Sequence, residues 1–409
     1  MKHSATLAGK RILLGVCGGI AAYKAAEVLR LLRKEEARVR VVMTESAQSF
    51  VGPLTFEALS GEPVFTDMFS GHHEDAIRHI QWADWADVAV VAPCTANVAA
   101  KMAHGMADDA LTTVLLAVTS PVMVCPSMNT NMFEHPATRS NLKRLVELGM
   151  HVMAPGEGFL ACGWTGAGRL PEPPHIVDRI KKLLAPPDLA GKTVLVTAGP
   201  TREPMDPVRY VSNPSSGKMG FAIARAAEHR GAKVVLVTGP VALDDPLGVE
   251  VVRVGTAEEM RDAVMERISG VDIVVKSAAV SDYKPVDTAE HKVKKKDGGI
   301  SIEMGRTPDI LQELGANKPD GMVLVGFAAE TRELEKYATE KIRKKNLDMI
   351  VANLIGSPGS GFGTETNQVT CFYSNRDSEC MDMMSKDAVA HAVLDRAMEC
   401  AVGGERTRQ

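Results

Sequence analysis

The stretch KRILLGVCGGIAAYKAAEVLRLLRKEEARVRVVMT, from Lys10 to Thr44, runs strand, glycine turn, amphipathic helix, strand. The same order begins again at GKTVLVTAGP and runs from Gly191 to Pro240, with a much longer first loop. In the first copy Ile12–Val16 is a short apolar run. Ala25, Val28, Leu29 and Leu32 share one helical face, and Val39–Met43 is apolar again. Short β-rich runs alternating with helical periods predict βαβ units and mostly parallel sheets, an α/β chain built twice. Further strands are predicted at Val88–Ala92, Val122–Cys125, Ile273–Lys276, Val323–Phe327, Met349–Ala352 and Val369–Tyr373. Between the two starts lies PEPPHIVDRIKKLLAPPDLAGK, whose prolines bracket a helix at Ile176–Leu184. Pro186 and Pro187 interrupt regular structure, so the boundary is set near residue 187, giving domains 1–187 and 188–409. HKVKKKDGGISIEM reads as a hairpin turning at Asp-Gly-Gly, and the closing GGERTRQ as a tail without structure.

Composition removes several function classes. The net charge of −4 gives no global electrostatic case for nucleic acid, and 4% aromatics leaves little stacking surface. The first residues lack an apolar stretch with a cleavage site, and no apolar run reaches the ~18 residues of a membrane span. Seven scattered cysteines, with no CxxC or HxxxH pair, read as free thiols in a reducing compartment. The expectation is a cytoplasmic protein that engages neither nucleic acid nor membrane.

In the first half, Gly15, Gly18 and Gly19 follow a strand and open a helix, where backbone N–H groups bind anions. The spacing is GxxGG, neither the dinucleotide GxGxxG nor a Walker A loop, and a tight turn without ligand has the same look. Two later strands end in PCTANVAAK and PSMNTNMF. These place Pro93, Cys94, Thr95, Asn97, Asn129 and Asn131 where open α/β sheets bind ligands. His79, in RHIQWADWAD, precedes the third strand; a lone histidine is more often structural than catalytic. GEGFLACGWTGAGRL sets Cys162 among five glycines. Glycine this dense predicts a mobile lid, with the thiol as candidate acid, nucleophile or redox group; the plainer reading is a surface loop with an incidental cysteine.

GVCGGIAAYK, HIQWADWAD, PCTANVAAK, PSMNTNMF and ACGWTGAGR, in this order over residues 10–180, resemble the flavin-containing cysteine decarboxylases. The resemblance implies a Rossmann-like domain binding FMN between subunits of a trimer. It implies that His79 handles protons and holds the substrate carboxylate, that Asn129 contacts that carboxylate, and that Cys162 reprotonates the product. Gly18, Gly19, Thr44, Pro93, Thr95 and Asn97 fall where that family holds FMN. The chemistry is coherent. A carboxylate β to a thiol leaves only when the CH–S centre is first oxidised to a thioaldehyde that accepts the electrons; the enethiolate is then reduced and protonated.

In the second half, TAGPTREPMDPVRYVSNPSSGKMG is long and polar for a βα loop, and gathers Thr201, Arg202, Arg209, Asn213, Ser215, Ser216 and Lys218 near a helix start. Position 212 is Ser, so the GxxxxGK spacing of a P-loop fails. AAVSDYKP, a basic run at Lys292 and Lys294–Lys296, TPDIL, GFAAET and KIRKKNLD recur beside strand ends, a pattern consistent with a polyphosphate site. This half resembles the phosphopantothenate–cysteine ligases, and the two halves in this order are similar to the bacterial bifunctional coenzyme A biosynthesis proteins. The resemblance implies CTP-dependent joining of 4′-phosphopantothenate to cysteine through an acyl-cytidylate, with Mg2+ on the phosphates. Asn213 then contacts the acyl intermediate and Lys292 serves the triphosphate and catalysis. Lys276, Ser277, Ala278, Asp282, Pro308, Asp309, Ile310, Leu311, Phe327, Lys341 and Lys345 become nucleotide contacts. Homo-oligomers are implied as well, trimeric through the first half and dimeric through the second, with a dodecamer as one assembly combining both. Two alternatives fit less. A flavin-binding regulatory subunit in this lineage carries a long acidic tail, which this chain lacks. A Rossmann oxidoreductase using NAD needs GxGxxG and leaves the second half without a use.

Overall fold

Alternation along the first strand sets the architecture of the first half. Ile12 and Leu14 face one apolar layer, with Val28, Leu29 and Leu32 of the helix Ala22–Lys34. Leu13 faces the opposite layer, with Val98, Leu111 and Trp82. A sheet buried on both faces needs near-continuous apolar strands and helices above and below, the arrangement that parallel strands adopt. In the computed structural model, residues 7–69, 77–159, 163, 165–294, 301–330, 334–354 and 363–406 are described. The chain divides into two units between Ala185 and Pro186.

The first unit holds β1 (Arg11–Val16), β2 (Arg38–Met43), β3 (Val88–Cys94), β4 (Val122–Pro126) and β5 (His151–Val152). They form one sheet in the order β2-β1-β3-β4-β5, parallel throughout. The chain leaves β1 toward β2 and then recrosses to β3, so the strand order reverses between β1 and β3. A crevice opens at such a reversal, beyond the carboxyl ends of the strands. The helix at the end of the unit runs from Pro173 to Leu184, starting earlier than the sequence predicts. Proline lacks only an N–H that the first turn does not use, so Pro173 and Pro174 begin this helix instead of bracketing it.

The arms of the glycine-rich stretch, predicted as irregular chain, are an antiparallel pair, β6 (Gly156–Phe159) with β7 (Thr165–Arg169), and Cys162 of the predicted lid lies outside the described residues. The glycines of this pair answer to contact and conformation. Gly168 has φ +134°, and a Cβ there would stand 2.3 Å from the Met128 carbonyl oxygen. One at Gly166 would stand 2.7 Å from Thr130 Oγ1. The missing side chains let the hairpin lie flat on the segment that follows β4.

The second unit contains β8 (Thr193–Ala198), β9 (Arg202–Pro204), β10 (Tyr210–Ser212), β11 (Lys233–Thr238), β12 (Glu250–Arg253), β13 (Ile273–Lys276), β14 (Tyr283–Pro285), β15 (Met304–Arg306), β16 (Val323–Glu330), β17 (Met349–Leu354), β18 (Thr366–Asn367), β19 (Thr370–Tyr373) and β20 (Glu379–Cys380). Eight of them form a sheet in the order β12-β11-β8-β13-β16-β17-β19-β20. It is parallel from β12 to β17 and antiparallel beyond. The reversal point lies between β8 and β13. The helix Lys218–His229 crosses from β8 to β11 and ends at Arg230. That guanidinium, 1% exposed, pairs with Asp188 at 2.7 Å and Asp395 at 2.8 Å. It ties the unit's first residues to the last helix, Lys386–Arg406.

Two more predictions change. No ladder forms within His291–Met304 among the described residues; β15 pairs with β14 instead, and 295–300 lie outside the description. The last helix runs on to Arg406, through glycines read as the start of a tail. Among the described residues, no helix is long and apolar enough to cross a membrane.

Candidate functional sites

In the first unit the carboxyl ends of β1, β2 and β3 converge. Cys17 N–H donates to the Pro93 carbonyl at 3.3 Å, and Thr44 N–H donates to the Val16 carbonyl at 3.1 Å. Pro93 follows a cis peptide bond. Thr44 and Thr95 each cap a helix, accepting from Ala47 N–H at 3.3 Å and Val98 N–H at 3.4 Å. Gly18 is required by packing, because a Cβ there would meet Ser46 at 2.4 Å. Gly19 has only Thr95 near it, 3.9 Å from an added Cβ, so it faces open space. The helix that follows has Ala21 at its N-cap and no side-chain cap; Ala22 N–H donates to the Gly19 carbonyl at 2.9 Å and Lys24 N–H to the Ala21 carbonyl at 3.0 Å. Asn97 is exposed in the first turn after Thr95. Gly18, Gly19, Thr44, Pro93, Thr95 and Asn97 thus share one end of the sheet.

Asn129 stands beyond β4 and caps the helix Thr130–Glu134, its Oδ1 accepting from Asn131 N–H at 2.8 Å. Its loop is pinned on both sides. Ser127 N–H donates to the Cys94 carbonyl at 2.9 Å, and Met128 N–H donates to the Gly168 carbonyl of the hairpin at 2.9 Å. His79 lies in the first turn of the helix Arg78–Trp85. Its Nδ1 is buried and has no hydrogen-bond partner among the described residues, as does Thr130 Oγ1. Buried polar atoms left in this way are where a bound ligand is accepted without displacing protein bonds. Cys162 lies outside the described residues.

In the second unit a cavity of about 960 Å³ opens at the reversal point. Gly220 lines it, and Gly239 packs closely on the loop after β8. A Cβ on Gly220 would meet Ala198 Cβ at 2.5 Å and Ser277 Oγ at 2.7 Å; one on Gly239 would sit 1.7 Å from the Pro200 carbonyl oxygen. Lys276, Ser277 and Ala278 line the cavity from the end of β13, and Asp282 from the turn beyond. Pro308, Asp309, Ile310 and Leu311 line it at the start of the helix Ile310–Ala316. Phe327 comes from β16, and Lys341 and Lys345 from the end of the helix Leu334–Lys344 and the residue after it. Asn213 lines it too, its Nδ2 donating to the Val280 carbonyl at 3.0 Å and Ala279 at 3.4 Å. Ser277 Oγ donates to the Thr197 carbonyl at 2.7 Å, locking β13 to β8.

The cavity is electropositive. Burial lowers the Lys276 ammonium to about 8, with the neighbouring charge of Lys345 acting in the same direction and Asp309 opposing. Burial also raises the cost of ionising Asp309, but its hydrogen bonds from Lys345 and Gln312 N–H outweigh that and hold the carboxyl below the usual range. Lys345 Nζ lies 2.8 Å from Asp309 Oδ2.

Some predicted donors lie elsewhere. Thr201 is buried and its Oγ1 accepts from Ser281 N–H at 3.0 Å. Arg202 stacks over Tyr210 at 4.7 Å within the β9–β10 hairpin, and Arg209 is ion-paired with Asp206. These are fastenings of a long loop, and only Asn213, Ser215, Ser216 and Lys218 of that set line the cavity. Lys292 is exposed and is not among the lining residues. Its neighbour Val293 is held, N–H to Asp206 Oδ2 at 3.2 Å and carbonyl to Arg209 Nη2 at 2.8 Å. Lys294 is also exposed; Lys295 and Lys296 lie outside the description. Lys386, Asn353 and Asn367 line the cavity with no local motif to announce them.

A Flavoprotein family model matches residues 1–185, and a model of the DNA/pantothenate metabolism flavoprotein C-terminal domain matches 189–400. The coenzyme A biosynthesis bifunctional protein CoaBC of Bacillus subtilis (strain 168) is 49% identical over 392 residues, covering 95% of this chain and 96% of that protein. The chain belongs to the CoaBC family. The CoaBC protein of Escherichia coli (strain K12) is 44% identical over 394 residues, 95% of this chain and 97% of that one. Among solved structures, the FMN-dependent cysteine decarboxylase SpaF is 34% identical, with a TM-score of 0.38, covering 44% of this chain and 97% of SpaF. Family membership places a flavoprotein unit and a pantothenate-metabolism unit in the order of the two sheets described above.

Proposed function

We propose that this chain catalyses two consecutive steps of coenzyme A biosynthesis. The second unit joins 4′-phosphopantothenate to cysteine at the expense of CTP, and the first decarboxylates the resulting phosphopantothenoylcysteine to 4′-phosphopantetheine. The observation that supports this best is the electropositive cavity at the reversal point of the second sheet, in a CoaBC-family chain. Its lysines suit a polyanionic nucleotide and a phosphorylated acid.

In the ligase reaction the substrate carboxylate attacks the α-phosphorus of CTP, giving an acyl-cytidylate and pyrophosphate. The amine of cysteine then displaces CMP and the amide forms. Lys276, Lys341 and Lys345 line the cavity where negative charge accumulates, and Lys276 regains full protonation as the anion enters. Asn213 bridges the loop before the helix Lys218–His229 to the end of β13, so it sets the spacing of the two walls that grip the acyl intermediate. Lys292, exposed and outside the cavity lining, is assigned to the triphosphate on the family resemblance alone. Mg2+ is assigned to the nucleotide's phosphates, the usual partner of that ion in nucleotide sites.

In the first unit, open space at Gly19 and two orphaned buried polar atoms fit FMN. Gly19, Thr44, Pro93, Thr95 and Asn97 would hold it. When bound, FMN supplies the two-electron oxidation that makes carboxylate loss possible and the reduction that follows. Asn129 orients the departing carboxylate, His79 holds it and moves protons, and Cys162 delivers the last proton. The protein works as a cytoplasmic homo-oligomer, with trimeric contacts through the first unit and dimeric contacts through the second.

Reconstitution with FMN and measurement of pyrophosphate release test the two halves separately. Stoichiometric yellow protein, 4′-phosphopantothenate-dependent pyrophosphate from CTP and cysteine-dependent CMP are expected. Folded protein that takes up no flavin refutes the first assignment, and release from no nucleotide refutes the second.

A further inference from the structure

Two lysines from distant parts of the chain meet at the end of the cavity bounded by the start of the helix Lys218–His229. Lys218 is the first residue of that helix. Lys386 opens the last helix, is 7% exposed and lines the same cavity, as do Ser215 and Ser216. Both lysines grip one short segment. Lys218 Nζ donates to the Gly363 carbonyl at 2.9 Å and is ion-paired with Glu365. Lys386 Nζ donates to the Thr364 carbonyl at 2.6 Å. Burial lowers Lys386, the charge of Lys218 lowers it further, and Glu365 opposes both. The Glu365 carboxylate pairs with Lys218 and acts on Lys386 through its charge, and its side chain is 83% exposed. A hydrated carboxylate is a weak counter-ion. A polyvalent anion entering the cavity would give both lysines charge-assisted bonds beside a helix N-terminus, and for Lys218 a stronger partner than the exposed Glu365.

We propose that Lys386 and Lys218 are the pair that takes the polyphosphate of the nucleotide, and that Glu365 is an internal carboxylate occupying Lys218 until the nucleotide displaces it. The proposal rests on the nucleotide reading of this cavity given above. It assigns Glu365 a competing role: the carboxylate sets how tightly the free site accepts its anion, while Lys386 supplies buried positive charge.

The full chain, Lys386→Met, Lys386→Arg and Glu365→Gln are titrated calorimetrically with CTP and separately with inorganic tripolyphosphate. Losing one charge-assisted contact corresponds to about ten- to a hundredfold in affinity. Lys386→Met is expected to weaken both probes by that factor and to raise the KM for CTP more than that for cysteine, with Lys386→Arg restoring much of the loss. Glu365→Gln, on the surface, is expected to tighten both probes several-fold. Unchanged or weaker binding by Glu365→Gln overturns the competing role. Wild-type affinity in Lys386→Met overturns the lysine assignment, and so does equal weakening in Lys386→Arg. If the wild type ignores CTP but binds tripolyphosphate, the nucleotide reading fails while the variants still decide the lysine pair.

Discussion

Lys276 offers the sharpest quantitative test of the ligase cavity. Its ammonium falls from 10.5 to about 8, with burial the largest cause. At about 1.4 kcal/mol per pKa unit, that drop is a penalty of about 3 kcal/mol for holding the charge in the free site. This is a ceiling, because the side chain keeps some contact with solvent in the cavity. The sign follows from linkage. The folded value lies below the unfolded one, so below about pH 8 both states are protonated and the full penalty is present. Between about 8 and 10.5 the folded state sheds the proton first, and the penalty disappears as pH rises. Lys276→Met should therefore stabilise the ligand-free protein most at neutral pH and least near pH 10.5. Nucleotide binding reverses the balance. At pH 8 about half of the Lys276 side chains lack the proton, so an arriving polyanion should draw up to about half a proton per CTP from solution. Calorimetric titration in buffers of different ionisation enthalpy measures that uptake, and subtracting the Lys276→Met value removes the nucleotide's own protonation. Equal uptake in wild type and variant at pH 8 would refute the reasoning.

Three further outcomes are expected, the first two from the proposed roles of Cys162 and Lys292 and the third from the packing of the hairpin. Cys162→Ser should lose CO2 but stall at the oxidised enethiol, seen by mass spectrometry two mass units below the product; full conversion would remove the thiol as the acid. Lys292→Gln should abolish pyrophosphate release from CTP while decarboxylation of supplied phosphopantothenoylcysteine continues, and loss of both would show that the variant disturbs more than its own site. Gly168→Ala forces a Cβ against the Met128 carbonyl at positive φ, at a cost of about 2–4 kcal/mol. Hydrogen exchange at Met128 and along β7 should accelerate, and protection like that of wild type would contradict the docking of the hairpin.

The sheets were legible because their signal is local and periodic. Ile273–Lys276 is apolar up to its last residue and bounded by polar turns, and the strand has those limits. The arms of the glycine-rich stretch misled because glycine carries two meanings. Density suggests irregular chain, whereas Gly166 and Gly168, both within a strand, serve close approach to Thr130 and Met128, residues nearly forty positions away. The loop after β8 misled in the same manner. Arg209 looks like an anion ligand in sequence, yet Asp206 lies three residues before it and takes the charge. Lys386 was invisible because nothing around it forms a motif; only the packing of the last helix on the helix Lys218–His229 brings it to the cavity. The His291–Met304 hairpin was overridden because β15 found a partner in β14.

The most direct test of the central claim is one incubation of the purified protein with FMN, 4′-phosphopantothenate, cysteine and either CTP or ATP, read by mass spectrometry. The account predicts CMP, pyrophosphate and 4′-phosphopantetheine with CTP, and little turnover with ATP. A reaction that stops at phosphopantothenoylcysteine would contradict the assignment of the first unit, and the absence of any amide product with either nucleotide would contradict the account as a whole.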